Sequence, residues 1–288
     1  MRGRQRSRRR QIVAVGGGAP GSLDAIDRTT IKCAYSMVRL FSAYNGYLLK
    51  VRRSSDSATL DVGWDATGAL DTDAISTFIG VGTAFVDTWY DQGPTGYNLV
   101  QATAADQPGL TLASASWNNK PVAAFVAAGT QFMEADWLGT TVAQPNDWFV
   151  AYSNNVTFAY TIDTSTAAVA NNARQTLLDN GNGDDPAMYG GSGYVNGTNA
   201  GSGPAVACAS WNGASSALYY NASGSATATG SPGTNPARGL RLGSYWGNTG
   251  HMTGAIAEVV MLTGAASAGN RATIMSTVGA RNGITVTP

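Results

Sequence analysis

A chain of 288 residues with only 12% charged residues and 36 glycines can bury a core without metals or disulfides, and it favours short strands joined by polar turns. The formal net charge of zero hides an imbalance: Arg2, Arg4, Arg6, Arg8, Arg9 and Arg10 supply six of the 18 basic residues, leaving 12 against 18 acids in the body. Two distant cysteines, Cys33 and Cys208, and one histidine, His251, exclude a disulfide framework, a His-based metal cluster and any Ser-His-Asp triad not built on His251.

In chain order, residues 1–22 read as a basic arm and a Gly/Pro linker, and residues 23–288 as one domain. The arm suits an acidic protein surface, nucleic acid or an acidic membrane, but lacks the aromatics that stack single-stranded bases. The apolar run 12–15 is too short for the core of a secretory signal, and no run near 18 apolar residues predicts a membrane helix. Tyr35, Val38, Leu40 and Phe41 form a partial helical stripe that predicts a short helix within 31–44. Residues 47–53 and 58–64 read as a hairpin turning at Ser54-Ser55-Asp56, pinned by Arg52, Arg53 and Asp56 among themselves or by contact with Asp91. Asp71 caps a helix at 74–79. Strands follow at 85–90, 110–112, 121–126, 148–152, 156–162, 175–178, 205–211, 217–220, 241–242 and 255–262, many separated by Asn-Gly turns, and 267–281 reads as a terminal helix. Such evenly spaced short strands predict an all-β sandwich with a few short helices.

Asp179-Asn180-Gly181-Asn182-Gly183-Asp184-Asp185 is rich in oxygen ligands, but its spacing misses the helix-loop-helix calcium pattern, so it reads as a turn and no metal or other cofactor is expected. Both cysteines read as buried thiols. Trp64, Trp137, Trp148 and Trp211 read as core. Tyr245 and Trp246, in a Gly/Ser/Asn loop between late strands, are the best exposed pair for stacking a sugar ring.

Ala34-Tyr35-Ser36, Val38-Arg39-Leu40, the run from Leu49 to Asp56, Leu70-Asp71-Thr72, Thr88-Trp89-Tyr90-Asp91-Gln92, Gln101-Ala102-Thr103 and Gln107-Pro108 together resemble the catalytic domain of the arabinofuranosidase B family. The tail, with Gly239 to Gly243, Gly254 to Val259 and the terminal helix, is similar to the closing strands of concanavalin A-like and laminin-G-like sandwiches. The resemblance implies a concanavalin A-like jelly-roll β-sandwich. It also implies a nucleophilic Glu after an aromatic-Asp-aromatic-Gly-Asn pattern and an acid/base Asp just after the late Leu-Gly strand, as retaining hydrolysis requires two carboxyl groups. Here the first segment, Leu178-Asp179-Asn180-Gly181-Asn182-Gly183, lacks Glu, and Asp184 or Asp185 could occupy that first site. The second, Leu242-Gly243-Ser244-Tyr245-Trp246-Gly247-Asn248, lacks Asp. Glu134 and Asp136 adjoin a polar loop, and Glu258 sits in a closing strand where a structural role is expected.

The expectation from these gaps is a protein with no catalytic residues: a phage virion component (head decoration, fibre or tail), assembled in the host cytoplasm and homo-oligomeric. Its six-arginine arm would anchor it to other virion proteins, with contact to nucleic acid left open and no membrane contact. Tyr245, Trp246, Asp184 and Asp185 would bind glycan. The alternatives are a retaining glycoside hydrolase of arabinofuranosidase type and a bacterial surface adhesin.

Overall fold

A computed structural model describes residues 23–166, 174–179, 185–198 and 201–288. In chain order the elements are β1 (Ile31–Ser36), β2 (Leu49–Arg53), β3 (Thr59–Val62), α1 (Thr72–Ile79), β4 (Ala84–Trp89), β5 (Leu99–Val100), β6 (Gly109–Ser114), β7 (Lys120–Phe125), β8 (Met133–Asp136) and β9 (Asn146–Asn154). They continue with β10 (Tyr160–Asp163), β11 (Thr176–Asp179), β12 (Pro186–Tyr189), β13 (Tyr194–Asn196), β14 (Ala205–Trp211), β15 (Ser216–Tyr220), β16 (Ala228–Gly230), β17 (Gly239–Leu242), β18 (Gly254–Leu262) and α2 (Ala268–Asn282).

One antiparallel hydrogen-bonded network folds into two layers. The first runs β1, β18, β9, β14, β15, β16, with β7 beside the start of β18. The second runs β3, β2, β4, β5, β8, β17, β10, β11, β12, β13. Strand β6 joins them by pairing with β4 and β7. The all-β sandwich expected from the turn spacing is the fold observed.

The first layer is buried on both faces, which explains the near-continuous apolar character of β9. Trp148, Val150 and Tyr152 enter the core between the layers. Phe149 and Ala151 enter a second core under α2, with Ile274, Met275 and Val278. On β18, Ile256, Val259 and Met261 join the first core while Ala255, Ala257, Val260 and Leu262 join the second. The three-residue step from Ile256 to Val259 marks a bulge, which turns Ala257 and Glu258 to the same face. Glu258 thereby reaches Arg281 of α2 and accepts from Ser36 Oγ at 3.1 Å.

The helix expected within 31–44 is instead β1. Cys33 and Tyr35 face one core and Ile31 and Ala34 the other; of the stripe only Tyr35 lies in the strand, and Val38, Leu40 and Phe41 follow it in an irregular segment packed on the second core. Pairing with β18 decides the conformation. The hairpin is held by Arg53 on Asp56 at 2.6 Å, while Arg52 donates to Gln107 at 2.6 Å. Asp91 accepts from the amides of Ala34, Gly93 and Tyr97. Asp71 and Ser267 cap α1 and α2 through Ala74 N and Asn270 N. Both cysteines are buried and free.

Since Glu258 and Arg281 are both buried, removing one strands the other's charge. Arg281→Leu should cost about 3–5 kcal/mol in urea denaturation, whereas a loss below about 1 kcal/mol would show that the pair does not hold α2 to the sheet.

Candidate functional site

The second layer turns one face to the core and the other outward. Met133, Ala135, Leu240, Leu242, Ile162 and Leu177 point inward, so the residues alternating with them point out. Register then aligns side chains across five strands: Glu134 of β8 stands opposite Arg241 of β17, Arg241 opposite Asp163 of β10, Asp163 opposite Thr176 of β11, and Thr176 opposite Tyr189 of β12. Tyr194 of β13 completes the row beside Tyr189.

Arg241 organises the centre. Its guanidinium, 3.5 Å above the Phe132 ring, donates to Glu134 Oε2 at 3.2 Å, Ser244 Oγ at 2.9 Å, the Trp246 carbonyl at 3.2 Å and Asn248 Oδ1 at 3.0 Å. The loop after β17 is thus tied to the sheet from below. It leaves the strand at Gly243, whose φ of +86° suits glycine and where an added Cβ would come within 2.5 Å of the Phe125 ring. Asp163 ties the same loop from the other side. Its carboxylate accepts from Trp246 N at 3.1 Å and Ser165 N at 2.9 Å and pairs with Arg174 at 3.3 Å. Burial pushes the Asp163 carboxyl up from 3.8 to about 6, against the lowering pull of Arg174 and the two amides. Burial likewise lowers Arg241 from its ordinary value, while Glu134 and Asp163 support its charge.

Aromatic rings surround this charged centre. Tyr245 lies 5.2 Å from Trp246 and 5.4 Å from Tyr160. The Arg174 guanidinium sits 4.2 Å over Tyr245 and 5.8 Å from Tyr189, which is 5.3 Å from Tyr194. Glu134 and the rings of Tyr189, Tyr194, Tyr245 and Trp246 are at least partly exposed and can meet hydroxyls and sugar C–H faces, while the buried Asp163, Arg174 and Arg241 hold them in place.

Of the residues singled out from the sequence, Tyr245 and Trp246 are at this centre, half-buried. Asp185 directly precedes β12, and its Oδ1 is buried without a hydrogen-bond partner among the described residues. Asp184 and the arginines at 2, 4, 6, 8, 9 and 10 lie outside the described residues. Glu134 belongs to the row, Asp136 caps a turn through Leu138 N, and Glu258 is structural. His251 Nδ1 is 3.4 Å from the Gln131 carbonyl. Asp179 lines a crevice of about 10 Å³ with Tyr152, Asn154, Pro186, Gly201 and Tyr220, room for about one water. Asp163, Arg174, Arg241, Tyr189 and Tyr194 were not anticipated. Their link to the loop spans 83 positions between Asp163 and Trp246, and only the alternation of β10 and β17 hinted at an outward face.

Residues 20–236 match the family model described as alpha-L-arabinofuranosidase B, catalytic. The chain is 29% identical over 211 residues to a probable alpha-L-arabinofuranosidase B of Aspergillus clavatus, covering 66% of this chain and 40% of that protein. It is 30% identical over 221 residues to an alpha-L-arabinofuranosidase of Hypocrea jecorina, covering 67% and 42%. The chain thus spans about two fifths of the length of these curated relatives. Among solved structures, an arabinofuranosidase complexed with arabinofuranosyl-alpha-1,2-xylobiose superposes with a TM-score of 0.66 at 18% identity, over 87% of this chain and 62% of that one. A GH54 arabinofuranosidase soaked with a cyclic sulfate inhibitor gives 0.62 at 19% identity, over 87% and 62%.

These matches correct the expectation of a non-catalytic virion component located in a phage particle. The relatives are arabinofuranosidases, and the likeness extends through most of the sandwich. That expectation rests on two short segments that lack the Glu and Asp the family pattern implies. Neither segment determines membership when the match runs over 20–236, and the row contains acids, Glu134 and Asp163, from other strands.

The raised Asp163 value has a definite sign. The folded state keeps a proton that the unfolded chain releases, so this group's contribution to stability falls as pH rises from about 4 to about 6. Across that window the stability of Asp163→Asn should gain on wild type by about 2 kcal/mol, read from denaturation midpoints. A constant difference would show that Asp163 titrates normally.

Proposed function

As a member of the alpha-L-arabinofuranosidase B catalytic family, this chain is, we propose, a glycoside hydrolase that releases arabinofuranosyl groups from a glycan, with its site on the outer face of the second layer. The single observation carrying this reading is the family match over 20–236, which includes every strand of the row except β17. Hydrolysis asks for two carboxyl groups flanking the scissile bond. Glu134 and Asp163 stand in register on either side of Arg241, roughly 10 Å apart at the backbone. A carboxyl at about 6 retains a proton to give near neutral pH, the property wanted of a general acid. Glu134, partly exposed beside Arg241, is the acid open to solvent. Tyr245 and Trp246 offer ring faces to the sugar, and Asp185, with Asp184 before it in sequence, adjoins the same strands through the β11–β12 hairpin.

The test is release of arabinose and 4-nitrophenol from 4-nitrophenyl α-L-arabinofuranoside by the purified full chain. Wild type should turn over. Glu134→Gln and Asp163→Asn should each lower kcat/KM by about 100-fold or more, with circular dichroism unchanged. Absence of turnover by wild type contradicts the reading. Loss in Asp185→Asn with retention in Glu134→Gln would move the chemistry to the hairpin.

A further inference from the structure

The charged centre continues sideways into a ladder of rings that cleavage of one terminal sugar does not require. From Trp246 the ladder passes to Tyr245, across the Arg174 guanidinium to Tyr189, and ends on Tyr194. Each neighbour lies within 6 Å of the next. It crosses from the loop after β17 over β10 and β11 to β12 and β13, four strand spacings, or about 19 Å. Core packing does not account for its far end. Tyr194 is 49% exposed and stands on the outward face, while its strand neighbour Val195 enters the core. An exposed ring in a three-residue edge strand contributes little to folding, yet Arg174, itself buried, is spent on joining the rings. Asp163 fixes that guanidinium from below, so the ladder is preorganised and coupled to the site.

We infer that the Trp246–Tyr245–Arg174–Tyr189–Tyr194 ladder is an extended binding platform for a polysaccharide chain, so that the protein recognises several consecutive sugar units beyond the one cleaved. This rests on the proposed hydrolase reading for its direction, since the ladder starts where the scissile bond would lie. The chemistry points to a neutral, flat chain. Sugar rings present C–H faces to aromatic rings, and their hydroxyls can hydrogen-bond to the Tyr hydroxyls, which the buried Arg174 holds in line. The span accommodates about three to four units at one unit per strand spacing or slightly more.

The experiment is calorimetric titration of the full chain with β-1,4-linked xylo- and cello-oligosaccharides of one to five units, which carry no arabinofuranosyl group to release. Wild-type affinity should climb with length and level off at about four units. Tyr194→Ala should weaken binding of the tetramer by about 3- to 10-fold and flatten the climb, and Tyr194→Trp should restore it. Affinity independent of length in wild type, or an unchanged climb in Tyr194→Ala, overturns the inference. Arabinose release from the aryl arabinofuranoside is scored separately. A length-dependent climb without turnover supports the platform while the hydrolase reading fails, and turnover without the climb does the reverse.

Discussion

The buried guanidinium of Arg241 is the interaction on which the outer face depends. A cation in the third position of a four-residue strand, flanked by Leu240 and Leu242 in the core, is costly to bury unless its hydrogen-bonding capacity is met. Glu134, Ser244, Asn248 and the Trp246 carbonyl accept four hydrogen bonds from it, and Phe132 lies against its flat face. Satisfying Arg241 therefore fixes the conformation of the loop that carries Tyr245 and Trp246. Asp163 repeats the device one strand away, with Arg174 as its cation and the Trp246 amide as its second link. The loop is held by two charges of opposite sign placed by sheet register.

The sandwich makes such a site possible by dividing its faces. The first layer carries apolar residues on both sides and is covered by α2, so it can be rigid but offers little surface. The second layer spends one face on the core and keeps the other for polar and aromatic groups. The β18 bulge belongs to the same scheme. By turning Glu258 toward Arg281, it docks the terminal helix on the first layer, away from the second.

What could be read from the sequence was what is local. The hairpin of β2 and β3, the Asp71 and Ser267 caps, and α2 are each encoded in one short continuous stretch, and each stands within a few positions of its expected place. The helix expected within 31–44 is absent because residues 31–36 pair with β18 while Val38, Leu40 and Phe41 pack irregularly on the second core, and neither partner is local to the segment. Tyr245 and Trp246 were visible as aromatics in a turn-rich loop. Asp163, Arg174 and Arg241 were not, because an acid or arginine in a short strand looks the same whether it faces solvent or a neighbouring strand. The functional reading failed for a related reason. It asked whether two segments held a Glu and an Asp, whereas the likeness to arabinofuranosidases is distributed over 20–236 and the acids of the outer row come from strands far apart in sequence.

A crystal structure of the full chain with a bound arabinose-substituted oligosaccharide tests the central claim most directly. The account predicts sugar on the outer face of the second layer, against Trp246 and Tyr245, with the chain running toward Tyr194. Sugar seated instead at the crevice of Asp179, Tyr152 and Tyr220, with the outer face empty, would contradict it.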